Sequence, residues 1–385
     1  MRGSLRLGKI AGIAIDIHFS WLIIFILLTT TLALDWFPSV AARQSTTAYW
    51  IAGIVASLVL FASVLAHELA HSLVAQSRGM PVKSITLFIF GGVSNLEREP
   101  ERPGVEFVMA FVGPLTSLII GAIFGGIFVI LSIAIQDANP LVTAVAGYIA
   151  ITNLLLGMFN LIPGFPLDGG RVLRSILWKV SGSLTRATRW AAGTGQIIAY
   201  GFIVVGIWMF FTASVLNGLW FGFIGWFLLQ AARSEERQLE LEQAVAGVRV
   251  ADVMLPPPPS CTTDCTLREL SDNYVLRSGL RTIPVTSDGA FVGLVTLKDA
   301  LKVPREQWDQ VPVSQIMIPR DRVVSVRATE PLAEALKVLM PAQVSQVPVI
   351  ADDRLEGILN VEHVLRWLQV RRTLYPERGS LPKAS

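Results

Sequence analysis

Two histidines and a glutamate fall within five consecutive residues, His67-Glu68-Leu69-Ala70-His71, inside an apolar stretch at residues 48–77 that predicts a membrane-spanning helix. Histidines four positions apart share one face of a helix, with Cβ atoms about 5 to 6 Å apart, so both imidazoles can bind one metal ion. The intervening Glu68 would stand beside that ion as a general base. The motif therefore predicts a zinc site for hydrolysis within a membrane.

The membrane setting strengthens this interpretation. A motif with three fixed positions arises by chance on the order of once in several hundred such chains. Each ionisable group at the centre of a spanning helix costs roughly 2.5 to 3.5 kcal/mol on insertion scales, and it persists only with a partner or a function. A bound metal ion supplies both.

Composition indicates an integral membrane protein. The chain has 385 residues, of which 52% are hydrophobic and only 16% are charged, which is too apolar for an ordinary soluble protein. Runs long enough to cross a bilayer occur at residues 17–34, 49–77, 105–135, 143–162, 193–211 and 213–231. We therefore expect a polytopic α-helical membrane protein with about six transmembrane helices.

The basic residues are distributed unevenly between these runs. They lie before the first run, between the second and third, and after the fourth: Arg2, Arg6, Lys9; Arg78, Lys83, Arg98, Arg102; Arg171, Arg174, Lys179, Arg186, Arg189. The opposite connections hold only Arg43. The positive-inside rule then predicts a multi-pass protein of the cell membrane with both termini in the cytoplasm. Basic loops beside the lipid bilayer account for the pI of about 9.0, and we expect no nucleic-acid partner.

A catalytic zinc usually has three protein ligands, so a further ligand must come from elsewhere in the chain. Asp168 is the candidate, because it follows a segment in which Pro163, Gly164 and Pro166 interrupt the fourth apolar run. Irregular backbone is tolerated at membrane depth where it lines a cavity. Asp168 before Gly-Gly is equally a helix N-terminus signal at the lipid interface, and the residues alone leave both interpretations open.

Together, the His-Glu-x-x-His helix and the segment from Asn160 to Gly169 resemble the site-2 protease family of intramembrane zinc metalloproteases. The resemblance covers most of residues 1–232. It implies that His67, His71 and Asp168 bind one zinc ion and that Glu68 is the base. Asn160 would hold the substrate backbone or steady the oxyanion. It also implies regulated intramembrane proteolysis, with a transmembrane protein substrate such as an anti-sigma factor or a similar regulator.

Weaker features of the same family are Gly-Lys-Ile-Ala-Gly-Ile-Ala-Ile near the start, Phe90-Gly-Gly-Val93 and Gly113-Pro-Leu115. Residues 82–90 are β-branched and aromatic and end at a turn signal, which predicts a small membrane-associated β element. Its edge could pair with an unwound substrate segment or belong to an ordinary hairpin. The last two spans are candidate gates, whereas His18 and Asn153 are interpreted as structural.

After a predicted linker at residues 233–247, the composition becomes that of a soluble domain with an internal repeat of about 64 residues. Asp252-Val-Met254 is echoed by Gln315-Ile-Met317, and Ile283-Pro-Val285 by Val347-Pro-Val349. This predicts two cytoplasmic α/β units at residues 248–302 and 311–370, followed by a flexible tail at 371–385. Cys261 and Cys265 are expected to be unpaired structural thiols.

The two units resemble a tandem pair of CBS domains, which implies dimerisation with a second copy and, in some members, binding of an adenine nucleotide. Thr296 and Asp299 match the Ser/Thr and Asp of that nucleotide motif, whereas Asn360 and His363 occupy the equivalent places in the second unit. Nucleotide binding and a purely structural pair therefore both remain open. In either case the expected role is regulatory.

Two alternatives to an enzyme follow from the same features. CBS pairs also accompany transporters, whose broken helices carry polar residues at the membrane midplane, and a silent scaffold could use the fold to bind membrane partners. Neither alternative requires a glutamate between two histidine ligands and an aspartate to complete the set. The sequence therefore favours the protease.

Overall fold

The computed structural model describes residues 4–89, 91–96, 100–135, 139–280, 282–342 and 346–374. The chain divides into two compact units, Met1–Leu239 and Glu240–Ser385. Phe90, Arg98 and the larger part of the predicted flexible tail, residues 375–385, lie outside the described residues.

Six helices of the described chain are long and apolar enough to cross a membrane. They are α1 (Ser20–Thr31, continued by Leu32–Trp36 and Phe37–Val40), α2 (Thr46–Ser77), α3 (Pro103–Ile133), α4 (Pro140–Asn160), α6 (Leu184–Thr212) and α7 (Val215–Val245). The sixth is separated from the fifth by Ala213 and Ser214 alone, as expected for a tight hairpin. The prediction of six spans is confirmed.

The membrane-associated β element is larger than the sequence suggested. Four strands, β1 (Ser4–Ile10), β2 (Ile13–His18), β3 (Val82–Phe88) and β4 (Gly91–Leu96), form one sheet in the order β1-β2-β3-β4. β2 runs parallel to β3, and both outer pairs are antiparallel. The first apolar run was therefore placed too early: residues 13–18 alternate in the manner of a strand, and helix α1 begins only at Ser20.

Helix α4 ends at Asn160, and the following irregular segment leads into helix α5 (Asp168–Ser181). Glycines permit this turn because backbone segments approach closely there: a Cβ on Gly170 would lie 2.7 Å from the carbonyl oxygen of Gly164. Asp168 is thus the first residue of a helix, as one of its two interpretations proposed. Its side chain nevertheless points to the histidines, as described below.

The second unit contains two repeated hairpins. The first is β6 (Thr282–Ser287) with β7 (Ala290–Thr296), flanked by the short strands β5 (Cys261–Thr262) and β8 (Ile318–Pro319) in the order β5-β6-β7-β8. The second is β9 (Gln346–Ala351) with β10 (Arg354–Asn360). Short helical segments Leu267–Glu269, Leu270–Val275, Leu276–Ser278 and Leu297–Ala300 surround the first hairpin, and α8 (Leu332–Ala342) and α9 (Val361–Leu374) accompany the second.

The two repeats exchange their first segments. Ile318, at the start of the second repeat, pairs with Leu294 of β7, while Leu255, at the start of the first, bridges to Ile358 of β10. Each repeat therefore completes the sheet of the other, which explains why the unit folds as a pair. The segment predicted as a linker, residues 233–247, is helical as far as Val245.

Candidate metal centre

Three side chains meet at the N-terminus of helix α5. The Nε2 atoms of His67 and His71 lie 3.2 Å apart, and Oδ2 of Asp168 lies 3.1 Å from the first and 3.3 Å from the second. Among the described residues this is a cluster of three ligand atoms that could hold one metal ion. The sequence placed all three residues in one site, and the structure brings them together.

The geometry of this triangle fits zinc. A tetrahedral zinc ion with bonds of about 2.0 to 2.1 Å keeps its ligand atoms about 3.3 Å apart. Two imidazoles and one carboxylate are ordinary ligands of catalytic zinc, and such a set leaves a fourth position for water or substrate. His67, His71 and Asp168 are therefore the residues that could hold the ion.

Helix α3 orients both imidazoles through contacts with their Nδ1 atoms. Nδ1 of His71 lies 2.6 Å from the carbonyl oxygen of Met109, and Nδ1 of His67 lies 2.9 Å from the hydroxyl of Ser117. A carbonyl oxygen only accepts, so Nδ1 of His71 carries the proton and the lone pair of Nε2 faces the cluster. Sequence reasoning missed both contacts, because neither residue belongs to a motif.

Gly113, on the same helix, gives the imidazoles the space they need. A Cβ at this position would lie 2.8 Å from Nε2 of His67 and closer still to the ring of His71. The triplet Gly113-Pro-Leu115 was noted only as a family feature. Its first residue is in fact a steric requirement of the cluster.

Glu68 faces the neighbouring strand β4. Its Oε2 accepts a hydrogen bond of 3.0 Å from the hydroxyl of Ser94, which in turn accepts one of 3.1 Å from Ser72. A Cβ on Gly92 would lie 3.1 Å from Cδ of Glu68, so the strand and the carboxylate are in close contact. Ser94 and Ser72 were not predicted from the sequence.

The cluster opens into a cavity of about 1110 Å³. Glu68, Asn160 and strand β4 line it together with His67, His71 and Asp168, and the remaining wall is largely apolar. Asn160 is the last residue of α4, and it enters the cavity just before the chain turns towards Asp168. The lining also includes Phe202, Trp220 and Phe221 from the last two spans.

A buried ion pair ties the helix that begins at Asp168 to helix α3. Arg174 on α5 contacts Glu106 on α3 through both Nε and Nη2, and the two side chains are 7% and 0% exposed. The guanidinium also lies 5.3 Å from the ring centre of Phe165. Arg174 belongs to the basic residues that follow the fourth span, as the sequence indicated, but it is buried on helix α5 and paired rather than free in a loop. Glu106 could have been noticed as a lone acid at the start of an apolar run.

His18 and Asn153 lie outside the cluster. Nδ1 of His18 contacts the hydroxyl of Ser20 at 2.8 Å. Asn153 is fully buried and donates to the carbonyl oxygen of Ile149 on its own helix. These contacts agree with the structural interpretation of both residues.

The candidate nucleotide residues of the second unit form a local pair. Thr296 donates to Oδ2 of Asp299 at 2.5 Å, and Lys302 donates to the other carboxylate oxygen at 2.7 Å. Burial raises the pKa of Asp299, but the hydrogen bonds from Lys302 and Thr296 outweigh this and hold that pKa below its ordinary value. In the second repeat, Oδ1 of Asn360 accepts from the backbone N–H of His363 at 3.2 Å.

The two cysteines are free and buried in the core of the first repeat. Burial is the main reason that the pKa of Cys261 rises to about 12. This shift favours the protonated thiol at neutral pH.

The fold and the metal centre define a class: multi-pass membrane hydrolases with a zinc site carried on a spanning helix. The sequence profile described as Peptidase family M50 matches residues 55–139 and 124–205, and the CBS domain profile matches residues 250–306 and 313–370. The protein named zinc metalloprotease Rip3 of Mycobacterium tuberculosis is 38% identical over 379 residues, which is 98% of this chain and 96% of that protein.

Two further proteins resemble the chain. A zinc metalloprotease of Methanocaldococcus jannaschii is 30% identical over 370 residues, which cover 96% of this chain and 97% of that protein. A solved structure, a site-2 protease from Methanocaldococcus jannaschii, covers 60% of this chain and 94% of its own, with 29% identity and a TM-score of 0.40.

The chain therefore belongs to peptidase family M50, the site-2 protease family, and carries a C-terminal pair of CBS domains. It is a multi-pass membrane zinc metalloprotease, and its family acts on membrane proteins. The predictions of the family, the fold class and the enzyme class are confirmed.

Proposed function

We propose that His67, His71 and Asp168 bind the zinc ion of this protease and that Glu68 is its general base. The observation that carries the proposal is the triangle of ligand atoms at 3.1 to 3.3 Å beside the carboxylate of Glu68 in one cavity. Zinc bound there supplies a Lewis acid that polarises the peptide carbonyl and activates a water molecule.

The remaining steps belong to the residues of this chain. Glu68 takes the proton of the attacking water and can pass it to the leaving amine. Asn160 lines the same cavity and carries an amide N–H₂ that can donate to the substrate backbone or to the developing oxyanion. The apolar cavity wall accepts a transmembrane segment and limits access of bulk water.

The substrate segment must be unwound, because the peptide bonds of an intact spanning helix are hydrogen-bonded internally. Strand β4 supports this requirement: it is the last strand of its sheet and lines the cavity. An extended substrate segment can pair with such an edge by β-strand addition. The aromatic residues Phe202, Trp220 and Phe221 support a gate formed by α6 and α7.

The wider setting completes the proposal. Both termini lie in the cytoplasm, in accord with the distribution of basic residues. The substrate is the transmembrane segment of a regulator such as an anti-sigma factor. The CBS pair forms a homodimer with a second copy and binds an adenine nucleotide at Thr296 and Asp299, and this tail controls cleavage.

The direct test uses the purified full chain in detergent micelles. The probe is a synthetic peptide whose apolar core of about 20 residues, enough for one span, is interrupted by Asn-Gly and flanked by a fluorophore and a quencher. We expect wild type to bind one zinc ion and cut the peptide. Glu68→Gln should keep the zinc but cut at least about 100-fold more slowly. Full cleavage by Glu68→Gln, or a folded wild type that binds no zinc, would contradict the proposal.

A further inference from the structure

Strand β4 turns a polar face towards helix α2. Its residues alternate between partly buried and exposed positions, so Gly92 and Ser94 share the inner face while Val93 and Asn95 face outwards. The inner face lies against Glu68: Gly92 has no side chain there, and Ser94 reaches the carboxylate. The strand that borders the cavity therefore also contacts the proposed base.

Ionisation of Glu68, which a general base requires, fixes the direction of the hydrogen bonds along this contact. An ionised carboxylate only accepts, so the proton of the Ser94 hydroxyl points at Oε2 of Glu68. Ser94 must then accept from Ser72, which is fully buried one helical turn beyond Glu68. Oε1 of Glu68 has no hydrogen-bond donor within the described residues, which leaves it for the reacting water.

We propose that Ser94, supported by Ser72, is a positioning residue that fixes the orientation of Glu68. Because Ser94 is carried by the edge strand, a substrate segment that pairs with β4 also holds the base in place. The bond from Ser94 occupies one carboxylate oxygen, and the other is presented to the cavity. This inference deepens the proposed function and rests on it.

The test measures cleavage of the same quenched peptide by three variants: Ser94→Ala, Ser94→Thr and the control Ser63→Ala. Ser94→Ala should lower kcat about 10- to 100-fold, the usual effect of losing a hydrogen bond to a charged group. KM should change by less than about twofold, since the bond acts in the chemical step. Ser94→Thr retains a hydroxyl and should recover most of the rate. Zinc content should stay at one ion per chain in each variant.

Ser63→Ala is the matched control. Ser63 is a buried serine on the same helix as Glu68, and its hydroxyl donates to the carbonyl oxygen of Val59 in that helix. This variant should cut at the wild-type rate. If Ser94→Ala matches it in kcat, or raises KM alone, or loses zinc, the positioning role is wrong. If wild type itself leaves the peptide uncut, the proposed function fails and this inference fails with it.

A second measurement does not depend on cleavage. Thermal unfolding of Ser94→Ala, Glu68→Ala and the double variant forms a double-mutant cycle. We expect Ser94→Ala to lower Tm in the wild-type background and to change it little in the Glu68→Ala background. Additive effects on Tm would show that the two side chains do not interact and would overturn the inference.

Discussion

The two candidate sites of this chain differ in where their residues come from. In the membrane unit, Asp168 meets His67 and His71 across sequence separations of 101 and 97 residues. In the second unit, Thr296 and Asp299 are three residues apart and hydrogen-bond to each other. A local pair is explained by its own turn, because it begins a helix. Three acceptor atoms brought together from distant segments have no such local explanation, and they indicate a bound cation.

Loss of one proposed zinc ligand is the largest expected effect. His67→Ala should reduce bound zinc from one ion per chain to near zero, and cleavage of the quenched peptide should fall by at least about 10³-fold, because two ligands cannot hold a catalytic zinc. Zinc is measured by mass spectrometry of the purified protein. His18→Ala is the control: its imidazole contacts Ser20, so zinc content and cleavage should stay at wild-type values. Equal zinc content in His67→Ala and His18→Ala would show that His67 does not bind the ion. The contrast between the membrane cluster and the Thr296–Asp299 pair would then be lost.

The next effect concerns the ion pair that joins α5 to α3. Glu106→Gln should lower the free energy of unfolding by about 3 to 5 kcal/mol, because it leaves the buried charge of Arg174 without its counter-ion. Arg268→Gln removes an exposed pair with Asp309 in the second unit, and we expect no measurable shift in Tm. Thermal unfolding in detergent compares the two. Similar small shifts of Tm in Glu106→Gln and Arg268→Gln would mean that Glu106 does not hold the helix that carries Asp168.

The residues predicted from the sequence share one property: their spacing alone implies a chemistry. His67 and His71 are one helical turn apart and Glu68 follows the first directly, which fixes their mutual geometry before the fold is known. Asp168 was proposed because a zinc ion needs another ligand, and its interpretation as a helix N-terminus is confirmed. One carboxylate can begin a helix and face a cluster, and the sequence could not reveal that both hold.

The residues that sequence reasoning missed depend on contacts between distant elements. Ser94 matters because β4 lies beside α2, and Ser117 matters because α3 lies behind His67. A serine in an apolar or strand segment carries no periodic signal of its own. The β1–β2 hairpin was missed for another reason: the apolar run assigned to residues 17–34 took in the last two residues of β2. At residues 13–18 the alternating pattern favours a strand, whereas the hydropathy favours a membrane span. Pairing of β2 with β3 selects the strand.

A smaller effect tests the packing behind the imidazoles. Gly113→Ala should weaken zinc binding about 10- to 100-fold, as changes around metal ligands commonly do, because the new methyl group would collide with both histidine rings. The dissociation constant is measured by competition with a chromogenic chelator. Gly126→Ala places the same methyl group on the same helix with no atom within 4 Å, and it should bind zinc like wild type. Unchanged affinity in Gly113→Ala would mean that the cluster is less tightly packed than its distances imply.

The smallest effect belongs to the local pair. Thr296→Ala removes the hydroxyl that accepts from the backbone N–H of Asp299, so the second unit should lose about 1 kcal/mol of stability, as for other N-caps. If the pair also binds a nucleotide, calorimetric titration of the full chain with AMP should show binding to wild type that weakens in Thr296→Ala and persists in Thr296→Ser. A loss of stability with no AMP binding to any form would reduce Thr296 and Asp299 to a helix cap. The difference between the two sites would then be complete: distant residues for chemistry, and a local pair for folding.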